Sequence, residues 1–235
     1  MRTINQDSIF VSTQPIGKLP NLFIVADGMG GHKAGDVASR EAIERFVKYA
    51  CTTHMSDPAN ILDAGIISVN KDIFDMANSN RDYSGMGTTF VAASLVENHV
   101  YIANVGDSRL YLIGRDIRQI TRDHSLVEDM VRMGVLEREE ARTHYKKNVI
   151  TKAIGVADDK TSTPDIFEIE VENGDKLLLC SDGLTNMVED YDIKKIVKDN
   201  DSIEDAVREL IKQANENGGK DNISAILIEP EIGEE

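Results

Sequence analysis

The chain reads as an α+β protein, a four-layer α-β-β-α sandwich in which two stacked, mainly antiparallel sheets are flanked by helix pairs. Three observations predict it. Apolar runs of strand length recur at 21–27, 88–96, 100–105, 109–113, 166–171, 177–180 and 223–228. Two stretches of helical periodicity follow one another early in the chain, and two more late. Between them the strands succeed each other through short turns, without the strand–helix alternation of a parallel sheet.

Residues 8–12 and 21–27 form a strand pair across a loop holding Pro15, Gly17 and Pro20. Beyond a glycine cluster, Val37, Ala38, Ala42, Ile43, Phe46, Val47 and Ala50 recur at helical spacing. Asp57-Pro58 announces a second helix, an N-cap followed by proline in the first turn. Its stripe is Ile61, Leu62, Ile66, Val69, Ile73 and Met76, and a polar loop over 78–87 follows. Residues 88–96 and 100–105 read as a hairpin through Glu97-Asn98-His99. Gly106-Asp107-Ser108 interrupts the run, and 109–113 pairs with 117–120 around a turn at 114–116. The whole stretch reads as one antiparallel meander.

From 122 to 155 charged and polar residues dominate, with short helices expected at 125–133 and 137–143 on either side of Gly134. Such an excursion fits a lid or recognition element, and equally a solvated insertion. Residues 166–171 and 177–180 flank Asn173-Gly174, a strong hairpin signal. Helices at 190–198 and 202–217 come next, the second with Ser202 as N-cap and a stripe of Ala206, Val207, Leu210, Ile211 and Ala214. A last strand at 223–228 leads to an acidic tail over 230–235.

The chain has 235 residues and no Pro/Ser-rich linker, so a single domain over 1–235 is expected. Its formal net charge of -15 speaks against nucleic acid and against an anionic membrane surface as partners. No apolar run reaches the length of a membrane span, and the first residues carry no signal-peptide core. The two cysteines, Cys51 and Cys180, read as buried thiols in a reducing cytoplasm. A cytoplasmic monomer is the expectation.

The chemistry is carried by apolar runs that end in aspartate beside glycine: 22–26 before Asp27-Gly28, 177–180 before Ser181-Asp182-Gly183, and 101–105 before Gly106-Asp107. One Asp-Gly alone reads as a turn. Three on buried strands read as carboxylates meeting at one place, and such a cluster repels itself unless a divalent cation neutralises it. Asp221, opening the last strand, adds a fourth acid. No zinc spacing, nucleophile elbow or GxxxxGK[ST] loop is present. What remains is water activated by metal, and paired divalent ions suit hydrolysis of a phosphate ester.

Motif by motif, the chain resembles the bacterial metal-dependent protein phosphatases of the protein phosphatase 2C (PPM) family. The resemblance is carried by 27–32 (Asp-Gly-Met-Gly-Gly-His) with 35–39, by 85–89, by 104–109 (Asn-Val-Gly-Asp-Ser-Arg) and by 121–125 (Thr-Arg-Asp-His-Ser). It continues through 148–155, 181–184 and 221–224, in family order and across nearly the whole chain. It implies hydrolysis of phosphoserine and phosphothreonine by a water bridging two manganese or magnesium ions. Asp27 would bridge the ions, with the Gly28 carbonyl on one of them and Asp182 and Asp221 on the flanks. Asp107 with Asp182 would create a third, weaker metal site. Asp7 would orient metal-bound water, and Arg2 would grip the substrate phosphate through its guanidinium fork.

The resemblance leaves the general acid open. Met29 stands where animal relatives place histidine, and His32 follows three residues later; a local hydrogen bond is the simpler role for His32. Metal-bound water could protonate the leaving group instead. His124 belongs to the flap, expected within 114–157, and reads as a packing or substrate-contact residue, while His54, His99 and His144 read as surface histidines. The implied clients are phosphorylated proteins, among them a bacterial Ser/Thr kinase and its targets. The rival readings are a phosphate-sensing binding module and a hydrolase of small phosphate esters.

Overall fold

A computed structural model describes residues 4–30, 34–157 and 163–233. In chain order the elements are β1 (Asp7–Ser12), β2 (Leu22–Met29), α1 (Ala34–Thr52), α2 (Pro58–Ser79), a 3-10 turn (Arg81–Tyr83), β3 (Gly87–Thr88), β4 (Phe90–Val96), β5 (His99–Val105), β6 (Arg109–Ile113), β7 (Ile117–Gln119), α3 (Leu126–Arg132), α4 (Arg138–Ala141), β8 (Asp165–Glu170), β9 (Lys176–Cys180), α5 (Asp182–Thr185), α6 (Asp190–Asp199), α7 (Ile203–Glu216) and β10 (Ala225–Ile228). Among the described residues one sheet has the order β1-β2-β4-β5-β8, with β3 added to β2, and the other has the order β10-β9-β6-β7. All the pairings are antiparallel. The expected sandwich with helix pairs outside is the fold.

Strand alternation divides the apolar residues into three layers. Leu22, Ile24 and Ala26 of β2 face α1 and α2, where Phe46 meets Phe90 with ring centroids 5.4 Å apart. Phe23 and Val25 face the other way, into the inter-sheet layer with Leu110, Leu112, Leu177, Leu179, Ile226 and Ile228. Leu178 and Cys180 point out of that layer onto α6 and α7. Asp57 caps α2 as expected, its side chain accepting from the N–H of Asn60 at 2.8 Å, and Ser202 caps α7.

Several expectations are corrected. Asn173-Gly174 does not close a hairpin, because β8 pairs with β5 in one sheet while β9 pairs with β6 and β10 in the other. The turn is real, with the N–H of Asp175 donating to the carbonyl of Glu172 at 3.1 Å, but it carries the chain between layers. The meander likewise breaks after Val105, since β6 and β7 belong to the second sheet. Gly106-Asp107-Ser108 is the crossing point between the sheets. The hairpin turn at 97–98 is shorter than expected, because His99 is already paired with Val96. The strand expected at 117–120 ends one residue earlier, at Gln119. Cys180 is buried as expected, but Cys51, in the last turn of α1, is exposed.

Leu179→Ala, at a fully buried inter-sheet position, is expected to lower unfolding stability by about 2–5 kcal/mol in urea titrations. Ile9→Ala, at a position 53% exposed, is expected to change it by less than about 0.5 kcal/mol.

Candidate metal centre

The two-residue period of the strands delivers acids to one end of the inter-sheet layer. Asp27 lies two residues beyond Val25 on β2 and so shares its face. On β1, Asp7 stands directly opposite Asp27 across the strand pair. Like charges directly opposed on neighbouring strands are destabilising, so the pair needs a compensating partner. Ser181 continues the face of Leu177 and Leu179, and its hydroxyl donates to Asp7 Oδ2 at 2.8 Å. The same hydroxyl accepts from the Ser224 N–H at 3.0 Å, which stitches the two sheets together at this end.

Glycine is required where the acid-bearing loops touch. A Cβ on Gly28 would lie 1.9 Å from the carbonyl oxygen of Gly35, and one on Gly183 would lie 1.9 Å from that of Asn222. The glycines after Asp27 and Asp182 are therefore contact points between backbones, and any side chain would push the loops apart.

Asp27, Asp107, Asp182 and Asp221 line one cavity of about 250 Å³, together with Gly28, Thr89 and Asn222. A wider cleft of about 590 Å³ adjoins it beneath the flap and shares Asp107 and Asp182. The Asp27 backbone is pinned from three sides. Its N–H donates to Thr89 Oγ1 at 2.9 Å, and its carbonyl accepts from Thr88 Oγ1 at 3.0 Å and from the Thr89 N–H at 2.9 Å. Asn222 clamps the N-terminal stretch to the Asp221 loop. Its Oδ1 accepts from the Gln6 N–H at 3.0 Å, its Nδ2 donates to the Ile4 carbonyl at 3.1 Å, and its own N–H donates to Asp221 Oδ1 at 2.8 Å.

Electrostatics mark the cavity as a place where negative charge is in excess. Burial, then the charges of Asp7, Asp182, Asp107 and Asp221, push the Asp27 carboxyl up to about 10. Burial, then Asp182 and Asp123, push Asp107 up to about 8. Burial, then Asp221 and Asp7, push Asp182 up to about 6, against the opposing pull of Arg109. Asp7 is raised as well, chiefly by burial. Asp7 Oδ1 and Asp182 Oδ1 are buried without a hydrogen-bond donor.

Among the described residues no three acidic, histidine or cysteine side chains stand ready-made as a coordination shell. The fold gathers the donors into one cavity and leaves them facing each other. Hard oxygens, excess negative charge and buried oxygens lacking donors fit magnesium or manganese, and not a soft or nitrogen-seeking metal. The observation that decides the fit is the mutual repulsion of carboxylates in a shared cavity.

Of the residues singled out from sequence, Asp7, Asp27, Gly28, Asp107, Asp182 and Asp221 meet here. Arg2 and His32 lie outside the described residues. His124 has a structural role: its Nδ1 accepts from the Gly106 N–H at 3.0 Å, and its Nε2 lies 3.3 Å from Asp165, tying the base of the flap to β8. The ring thus locks the loop that carries Asp107. His99 is half-buried on β5, with Nδ1 3.0 Å from Glu168.

Sequence reasoning missed a partly buried cation beside the acids. Arg109 sets its Nε and Nη2 on Asp123 at 2.9 and 2.7 Å, and its Nη1 donates to the Tyr111 hydroxyl at 2.8 Å. Both residues stood in recognised motifs, but nothing in their separation of 14 residues announces the pair. Asn186, which holds Asp182 Oδ2 at 2.8 Å, was also missed. Its only signal was a place four residues after Asp182.

The protein phosphatase 2C family model matches residues 17–223. The chain is 45% identical over 214 residues to the serine/threonine phosphatase stp of Listeria innocua, covering 88% of this chain and 84% of that protein. The crystal structure of serine/threonine phosphatase Stp1 from Staphylococcus aureus superposes with a TM-score of 0.89 at 40% identity, covering 98% of this chain and 91% of that one. The catalytic domain of the protein phosphatase PstP in complex with two manganese ions superposes with a TM-score of 0.83 at 31% identity, covering 97% and 92%. The chain belongs to the protein phosphatase 2C family.

Proposed function

We propose that this chain is a metal-dependent protein phosphatase that removes phosphate from phosphoserine and phosphothreonine. The observation that carries the reading is the convergence of Asp27, Asp107, Asp182 and Asp221 on one cavity in a fold shared with serine/threonine phosphatases. Asp27, the Gly28 carbonyl, Asp182 and Asp221 would hold two manganese or magnesium ions, and Asp107 with Asp182 a third. Bound there, the ions supply an activated water and a positive clamp for the phosphoryl oxygens.

The chain's own residues position and tune. The Asp7 carboxylate is fixed at one oxygen by Ser181 and keeps the other buried without a donor; from its strand position opposite Asp27 it would orient water. Arg109 spends its donors on Asp123 and Tyr111. Held there, it acts as a fixed charge that eases ionisation of Asp107 and Asp182. As the family resemblance implies, Arg2 would grip the substrate phosphate. The cleft beneath the flap, open to the carboxylates at Asp107 and Asp182, would admit the protein chain around the phosphorylated residue.

The whole of 1–235 would act as one monomeric catalytic domain, with the flap inside 114–157 shaping substrate choice. Its clients would be phosphoproteins, including a Ser/Thr kinase and that kinase's targets, in the cytoplasm. Among the described residues no helix is long and apolar enough to cross a membrane. The formal charge of -15 argues against nucleic acid as a partner.

Phosphothreonine-peptide hydrolysis is expected to require manganese, to stop in chelator, and to fall on the order of a hundred-fold or more in Asp182→Asn. Turnover undiminished by chelator would sink the metal reading. A protein that binds phosphopeptide but never hydrolyses it would favour a binding module, and preference for a small aryl phosphate over the peptide would favour the small-ester reading.

A second expectation follows from the raised carboxyls. Their stabilising protons are held in full below the ordinary carboxylate range and are lost as pH rises through the folded values, about 8 for Asp107. Burial lowers the pKa of His124, so its contribution opposes this trend only below about pH 6.5. In chelator, thermal unfolding should therefore shift to lower temperature between about pH 6.5 and 8.5. Manganese should restore it, more at the upper end. Asp107→Asn should flatten the slope in chelator, and an unchanged slope would count against the electrostatic account.

A further inference from the structure

Asp182 is held by its neighbours in a way the family assignment does not explain. It opens the one-turn helix α5, and Asn186 follows directly after that helix. The Asn186 N–H donates to the Asp182 carbonyl at 2.7 Å, and its side-chain Nδ2 donates to Asp182 Oδ2 at 2.8 Å. One residue thus grips both the backbone and the carboxylate. With Oδ2 engaged, the free oxygen is Oδ1, which is buried without a donor.

An asparagine amide can face a carboxylate with either end. Only the nitrogen end attracts it; the oxygen end repels. The choice is made by the flap. Lys147 Nζ donates to Asn186 Oδ1 at 2.9 Å. An ammonium has donors and no acceptor, so it takes the amide oxygen and turns the NH2 toward Asp182. Lys147 lies in the irregular stretch after α4, and it lines the cleft beneath the flap together with Asn186 and Asp182.

We infer that Lys147 and Asn186 are positioning residues, a relay through which the flap sets the orientation of the Asp182 carboxylate and so the affinity of the centre for its cation. The inference rests on the reading of Asp182 as a metal ligand. A flap that moves away takes Lys147 with it, frees the amide to turn, and loosens Oδ2. The centre would then be fully formed only when the flap is in place over the cleft.

Electrostatics alone predict the opposite sign. Lys147 is a cation near a site for cations, so its simple removal would strengthen divalent binding. The relay predicts that its removal weakens binding, and the direction of the change separates the two.

The test is manganese calorimetry on the whole chain, with melting curves in chelator to verify folding. Lys147→Met is expected to weaken manganese binding roughly three- to ten-fold, and Asn186→Ala roughly ten-fold or more. Lys147→Arg, which keeps the donors, should stay near the wild type. The double variant should be no weaker than Asn186→Ala alone, because the lysine acts only through the amide. If Lys147→Met melts early in chelator, Lys147→Leu, which also lacks a donor, takes its place. Unchanged or tighter binding on loss of Lys147, or losses that add in the double variant, would overturn the relay and leave the metal reading standing. A wild-type chain that binds no manganese would overturn both.

Discussion

The repulsion among the acids at one end of the sandwich is the constraint on which the rest depends. Asp7 and Asp27 face each other across neighbouring strands, and Asp107, Asp182 and Asp221 close on them from loops that begin elsewhere in the chain. Left to themselves these groups would separate. They are held by backbone hydrogen bonds to Asp27, by the Ser181 stitch between the sheets, and by glycines that let the loops touch. The stability of the apolar layers behind them holds the acids in place until a cation relieves the strain.

The sandwich suits this task because its inter-sheet layer is apolar along its length and polar only at one end. Phe23, Val25, Leu177 and Leu179 fill the layer, and Asp27 and Ser181 continue the same faces. A strand cannot change face without a bulge or an added residue, so extending β1 and β2 past the core places Asp7 and Asp27 at its edge. The water-excluded environment that raises the carboxyls of Asp27 and Asp107 also strengthens any attraction to a divalent ion there.

Two subsidiary networks surround the acids and differ in kind. Arg109, Asp123 and Tyr111 form a hydrogen-bonded, largely buried cluster that supplies fixed positive charge beside the acids. Lys147 approaches from the flap and reaches Asp182 through Asn186, which follows α5 and holds the carboxylate directly. The first tunes the centre permanently. The second depends on a segment built of short helices and turns, with a cleft between it and the body of the fold.

Strand and helix positions, the fold class and the identity of the clustered acids were legible in the sequence, because period, caps and Asp-Gly breaks are local signals. Asp57-Pro58 and Ser202 marked helix starts for the same reason. Which sheet a strand joins was not legible: Asn173-Gly174 looks like a hairpin turn, yet β8 and β9 part to different sheets, because a turn signal says that the chain reverses and not which neighbour accepts its hydrogen bonds. The exposure of Cys51 was hidden likewise: Ala50 beside it is fully buried, and Cys51, one residue further round α1, lies off the buried face. By itself the sequence determined the donor chemistry. Only the tertiary structure decided that Asp7 opposes Asp27, that Arg109 is spent on Asp123, and that a flap lysine reaches Asn186, because each is a contact set by the packing of separate elements.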